Sequence, residues 1–134
     1  MLKLLGRERR IAGGAFDDFV APSISLCLEV RAARVAEATL VLPIEDFQAP
    51  SQEKLIFGLR ALLAAMRAQP DLPVYIGCRA GIGRTGMMIA CLAKLAGIED
   101  PIAWTRAHYH PDAVETEAQR TAIDLLETSA VLLQ

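Results

Sequence analysis

The stretch from residue 73 to residue 97 leaves this chain little choice of fold. Pro73-Val74-Tyr75-Ile76-Gly77 is a short apolar run of strand formers behind the turn residues Gln69-Pro70-Asp71-Leu72, and residues 86–96 are good helix formers that stop at Gly97. Between them lies Cys78-Arg79-Ala80-Gly81-Ile82-Gly83-Arg84-Thr85, so a glycine-containing loop joins a strand to a helix N-terminus. Unpaired backbone N–H groups and the positive end of a helix dipole draw an anion to such a place, and glycines let the backbone close around it. The same field stabilises a thiolate at Cys78. Arg84 adds a planar, permanently charged fork matched to two phosphate oxygens. One loop thus offers a nucleophile beside a phosphate clamp.

The preceding segment places an acid near that loop. Residues 38–42 read as a buried strand, Pro43-Ile44-Glu45-Asp46-Phe47-Gln48-Ala49-Pro50 as a loop, and Ser51 as the cap of a helix over residues 52–68, whose Leu55, Ile56, Leu59, Leu62, Leu63 and Met66 share one face. A strand, a helix and a second strand in that order form a crossover with parallel strands. Parallel strands end at one edge, where open sheets bind ligands. Asp46 can therefore approach Cys78.

The flanks are plainer. Residues 10–12 predict an edge strand ended by Gly13-Gly14, residues 15–22 a loop holding Asp17 and Asp18, residues 23–28 a half-buried strand with Cys27 on its more polar phase, and residues 29–37 a short surface helix. Past Gly97, Asp100 and Pro101 open a helix to about residue 107, with Trp104 in the core. His108-Tyr109-His110-Pro111 breaks it, and a final helix runs from residue 113 or 115 to about residue 132. The expected architecture is α/β: a single domain over residues 1–134, with a small, mainly parallel sheet of about four strands flanked by about five helices.

Composition sets the outer limits. With 134 residues, 53% of them hydrophobic, the chain carries apolar side chains enough for one substantial core. A net charge of -2 argues against a general binder of nucleic acid or membrane surfaces. No apolar run approaches the roughly 20 residues that span a bilayer, and the first residues lack the long apolar region of a secretory signal. Cys27, Cys78 and Cys91 show neither metal-ligand spacing nor a disulfide framework. The expectation is a cytoplasmic protein with no metal and no cofactor.

Gly77-Cys78-Arg79-Ala80-Gly81-Ile82-Gly83-Arg84-Thr85-Gly86 resembles the signature loop of the cysteine-based protein tyrosine phosphatases, a cysteine, five residues, an arginine and a serine or threonine. Residues 43–50 are similar to the general-acid loop of the compact dual-specificity branch, and residues 111–119 to a segment that follows the signature helix in that superfamily. A nucleotide-binding loop fits poorly, because no lysine follows the glycines in the required place.

The resemblance implies a phosphomonoester hydrolase, a tyrosine or dual-specificity protein phosphatase acting on a phosphorylated protein or a small phosphate ester. Cys78 would attack phosphorus and form a phosphocysteine, the backbone of Arg79, Ala80, Gly81, Ile82, Gly83 and Arg84 with the Arg84 guanidinium would hold the phosphoryl oxygens, and Asp46, with Glu45 as its rival, would serve as acid and then base. Thr85 would donate to the sulfur or simply start the helix. Gln119 would orient water or lie exposed on its helix. The superfamily's histidine before the nucleophile is replaced by Gly77, and His108 and His110 do not stand in for it. Three other readings stay open: a catalytically weak or silent phosphate-binding module, a phosphatase of non-protein esters such as phosphoinositides, and a thiol redox or arsenate-reducing protein with Cys27 as resolving cysteine.

Overall fold

Four strands, all parallel, form the centre of the fold, and residues 1–132 are described in the computed structural model. They are preceded by a hairpin of β1 (Leu2–Leu4) and β2 (Arg7–Arg9), turned through Leu5 and Gly6 at φ 55° and 79°. Positive φ at both central residues matches the turn to the strand twist. Nothing in the residue pattern announces this hairpin, since strands so short carry almost no periodicity. Leu2 and Leu4 are buried in the core, and the buried Arg9 donates to Met66 O at 2.9 Å, Gln69 O at 3.0 Å and Leu72 O at 3.1 Å.

The central sheet has β3 (Ile11–Ala15), β4 (Ile24–Cys27), β5 (Leu40–Val41) and β6 (Val74–Cys78) in the order β3-β6-β4-β5. Gly13 and Gly14 do not end the first of these; the strand runs through them to Ala15, paired with Cys78. They are glycines because neighbours lie close. A Cβ on Gly13 would stand 2.7 Å from Thr85 Cγ2, and one on Gly14 2.5 Å from the Tyr75 hydroxyl. The buried strand expected at residues 38–42 shrinks to Leu40 and Val41, half-buried and exposed, because an edge strand here has β4 as its one partner.

Residues 29–37 are not a helix. Glu29 accepts from Arg31 N at 2.9 Å, and Asp17 accepts from Ala33 N at 3.2 Å and Arg34 N at 2.9 Å, so carboxylates take the amides that a helix would bond internally. What remains is a 3-10 turn at Val35–Glu37. A similar turn, Phe16–Asp18, interrupts the loop after β3.

The helices follow the local signals more closely. α1 (Gln52–Ala68) begins at Ser51, whose hydroxyl accepts from Lys54 N at 3.2 Å, and buries Leu55, Leu59, Leu62, Leu63 and Met66. Each large apolar side chain so buried contributes roughly 1.5–3 kcal/mol. α2 (Gly83–Leu95) is buried at every residue but Lys94, as a helix apolar on all sides must be, and stops at Gly97, φ 86°, with Ile98 N donating to Ala93 O at 3.0 Å. α3 (Pro101–His108) is capped by Asp100, which accepts from Ala103 N at 3.1 Å. Trp104 is half-buried at the core's margin, stacked on His108.

The final helix is two, α4 (Glu117–Leu125) and α5 (Thr128–Leu132). Lys94 Nζ takes Ile123 O at 2.8 Å and Asp124 O at 3.0 Å, closing the first, and the turn that follows buries Leu126 and Val131. Side chains alternate across the sheet: Val74, Ile76, Cys78, Ile24 and Leu26 join the helix-covered core, while Tyr75 and Cys27 join Phe16 and Phe19 on the opposite face. Among the described residues no helix is long and apolar enough to cross a membrane.

Candidate active site

β6 delivers Cys78 to the C-terminal edge of the sheet, and α2 starts at Gly83, earlier than residue patterning suggests, so that Arg84 and Thr85 ride on its first turn. The thiol is 3% exposed and its Sγ accepts from Gly81 N at 3.2 Å and from the Thr85 hydroxyl at 3.1 Å. Gly81 has φ 79°, and a Cβ on it would stand 2.3 Å from the Gly14 carbonyl carbon; no other residue fits. Arg79 and Ala80 are exposed, Ile82 is half-buried and Gly83 buried. The loop therefore turns the Gly81 amide onto the sulfur while β3 backs it.

Arg84 is 2% exposed and carefully oriented. Its Nη1 donates to Ile44 O at 2.7 Å and to Glu29 Oε1 at 3.2 Å, its Nη2 stands 3.6 Å from Asp46 Oδ1, and its Nε has no partner among the described residues. One edge of the fork is thus fixed to the protein, and the other presents donors. An orphaned buried N–H costs on the order of 1–3 kcal/mol unless something accepts from it. Carboxylate and phosphate oxygens are the acceptors that a guanidinium edge fits.

Of the two acids in the loop before α1, it is Asp46 whose carboxylate stands beside Arg84, with the backbone folded so that its Oδ1 also accepts from Phe47 N at 3.0 Å. Phe47 holds φ 62°. Gln119 is neither exposed nor free: it is fully buried, its Oε1 accepts from Glu115 N at 2.8 Å and Thr116 N at 3.3 Å, and its Nε2 donates to Gln48 O at 3.4 Å. It closes a capping box with Thr116 and ties α4 to the Asp46 loop. The Thr116-x-x-Gln119 spacing was there to be read.

Two residues of the site escape sequence reasoning. Glu29 lies 55 positions before Arg84 and holds it, its own carboxyl pulled below the ordinary carboxylate range by the Arg31 N–H and then by Arg84, against the opposing effect of burial. Tyr109 donates its hydroxyl to Gly81 O from the end of α3. Asp17, read as a loop acid, walls a cavity of about 310 Å3 over Cys78 together with Phe16, Glu29, Arg31 and Arg79. His108 bonds Trp104 O and His110 accepts from Asp112 N, and neither is among the described partners of the Cys78 sulfur.

Gly77 has a steric cause. A Cβ there would lie 2.4 Å from Phe16 Cα and 2.7 Å from Phe16 N, which are backbone atoms. Cys27, the candidate resolving thiol, is opposite Gly77 in the sheet and so faces away from Cys78; it donates to Glu29 O at 3.1 Å and burial pushes its thiol up. Burial pushes Cys91 up to about 12.

A cysteine at the end of a strand whose sulfur accepts from an amide of the following loop, with an arginine on the next helix turn and an acid on the neighbouring parallel-strand connection, accords with the compact, dual-specificity-like members of the cysteine-based tyrosine phosphatase superfamily, among which the chain falls. Residues 28–130 match the family described as Swiss Army Knife protein, DSP-PTPase phosphatase domain (PTP-SAK), and the chain belongs to that family. Two uncharacterised proteins of Methanocaldococcus jannaschii are each 38% identical to it over 81 residues, 60% of this chain and 50% and 54% of theirs. The chain spans about half the length of these curated relatives. Among solved structures it is similar to Tk-PTP in the active form, at 26% identity and TM-score 0.70 over 90% of this chain and 92% of that one. The fold also matches TpbA of P. aeruginosa, at 18% identity and TM-score 0.56 over 82% and 71%.

Proposed function

We propose that residues 1–134 act as one phosphatase-like domain that hydrolyses phosphate monoesters of tyrosine or dual-specificity type through a phosphocysteine. The observation that carries this is the Arg84 guanidinium, fixed on one edge by Glu29 and Ile44 and with its Nε unpartnered, on the same loop whose Gly81 amide bonds the Cys78 sulfur. Family membership and the likeness to Tk-PTP support it.

The Cys78 thiolate attacks phosphorus from the side opposite the ester oxygen; the S–P bond forms, the P–O bond breaks, and Asp46 gives its proton to the departing oxygen. The phosphoryl oxygens rest on the loop amides and on Arg84 Nε and Nη2, where their charge is held through the transition state. A phosphate oxygen competes with Asp46 for Nη2 and frees the carboxyl to turn toward the leaving group. In the second step the Asp46 carboxylate takes a proton from water, water oxygen bonds phosphorus, and sulfur leaves as a thiolate stabilised by the Thr85 hydroxyl 3.1 Å away. Gln119, with its amide spent on α4 and Gln48, positions the Asp46 loop rather than the water.

The substrates in this reading are phosphorylated proteins and small phosphate esters, and the setting is reducing and cytoplasmic, in keeping with a working free thiol. Hydrolysis of para-nitrophenyl phosphate tests it. Cys78→Ser should lower kcat/KM by about ten-thousandfold or more. Wild-type protein that binds phosphopeptide with no turnover would make the domain a silent capture module instead, and turnover restricted to phosphoinositides in a substrate panel would move it to non-protein esters.

A further inference from the structure

Tyrosines and glycines from three elements meet on the outer side of the nucleophile loop, and none of them takes part in the hydrolytic steps. Tyr109 closes α3, its N–H donating to Thr105 O at 2.8 Å, and sends its ring past β3 to reach Gly81 O. The lane is kept open by Gly13, where a Cβ would stand 3.0 Å from Tyr109 Cε1. Beside it the Tyr75 hydroxyl donates to Ala15 O at 2.7 Å in the space left by Gly14. Gly81 lies flat against this frame, its Cβ direction filled by Gly14 and by Ala15 N.

We propose that Tyr109 is a positioning residue for the anion cradle: by holding the Gly81 carbonyl outward, its hydroxyl aims the Ile82 N–H inward at the phosphoryl group. The inference rests on the phosphate-binding reading above and deepens it. Peptide planarity supplies the mechanism. The carbonyl of one residue and the N–H of the next belong to one rigid trans unit and point opposite ways, so the bond that fixes the Gly81 oxygen also fixes the Ile82 hydrogen. Ile82 N–H has no acceptor among the described residues, and its job is therefore open to a ligand.

A glycine at this position explains why a lock is needed. The Gly81–Ile82 peptide unit turns about ψ of Gly81 and φ of Ile82, and a residue without a Cβ leaves its ψ loosely held, so the unit can swing and carry the amide away from the phosphoryl group. Among the described contacts the Tyr109 hydroxyl is the side-chain donor on that carbonyl. Burial, with Cys78 and Tyr75 nearby, pushes this phenol far above its ordinary range, which favours its protonated, donating form.

Tyr109→Phe keeps the ring and removes the hydroxyl alone. The 15N-labelled protein is titrated with inorganic phosphate while the Ile82 amide resonance is followed, and kcat and KM are measured on para-nitrophenyl phosphate. In the variant the phosphate dissociation constant should rise about tenfold or more, kcat/KM should fall by a similar factor, and the Ile82 response should be lost. Unchanged phosphate affinity and an intact Ile82 response in Tyr109→Phe would overturn the proposal while leaving the hydrolase reading in place. Wild-type protein that binds no phosphate would overturn both, and that is read before any variant.

Discussion

At the scale of single residues, the site depends on how one guanidinium is divided. Glu29 and Ile44 O hold Nη1, so the two remaining donor positions keep their aim without help from the substrate. Glu29→Gln should therefore lower kcat/KM about tenfold and raise the inhibition constant of inorganic phosphate in step, with a stability loss of about 2–3 kcal/mol, under the full cost of a stranded buried charge because Ile44 O and Asp46 remain. The pH dependence has a definite sign. Glu29 titrates below its ordinary value of 4.5 in the folded protein, so its contribution to stability is complete above that pH and is lost as pH falls through the lower, folded value. Chemical denaturation from pH 7 down to pH 3 should show a flatter acid limb in Glu29→Gln than in wild type; parallel limbs would mean that this carboxylate is not ionised by virtue of the fold.

At the scale of elements, what could be read from the chain is what is decided locally. Ser51, Asp100 and Gly97 fix helix ends through bonds to their own neighbours, and the loop from Cys78 to Thr85 is contiguous, so both the helices and the nucleophile loop were legible. Residues 29–37 failed because Asp17, 16 and 17 positions away, captures the amides of Ala33 and Arg34; the break between α4 and α5 was hidden because Lys94, 29 positions before Ile123, takes the carbonyl there. Glu29 and Tyr109 were invisible for the same reason. Gly77 belongs at this scale too, since what it faces is the backbone of the turn after β3 rather than a side chain that could yield. Restoring the superfamily's residue with Gly77→His should push Phe16 out of its cluster and lower the unfolding midpoint by about 5–15 °C, without speeding iodoacetamide alkylation of Cys78 at pH 6. A variant with an unmoved midpoint and a faster thiol would show that the loop after β3 can make room.

At the scale of the whole molecule, the parallel sheet separates two tasks along its strands. Cys78 is the last residue of β6, and Asp46, Glu29 and Asp17 lie on the connections that leave the C-terminal ends of the other strands, while the opposite edge is closed by the hairpin, whose Arg9 reaches the carbonyls at the end of α1 and in the turn before β6. β6 puts Val74 and Cys78 roughly 13 Å apart at about 3.3 Å per residue, enough to keep a disturbance at one end from the chemistry at the other. Arg9→Met tests the separation. It preserves the buried stem, removes the donors to three carbonyls, one of them buried with it, and should cost about 2–4 kcal/mol of stability by urea unfolding. At a temperature well below the midpoint, kcat/KM on para-nitrophenyl phosphate should stay within twofold of wild type. A proportionate fall in kcat/KM would mean instead that the hairpin edge and the phosphate edge move as one, and that the order of the nucleophile loop is set by the packing of the entire sheet rather than by the residues touching it.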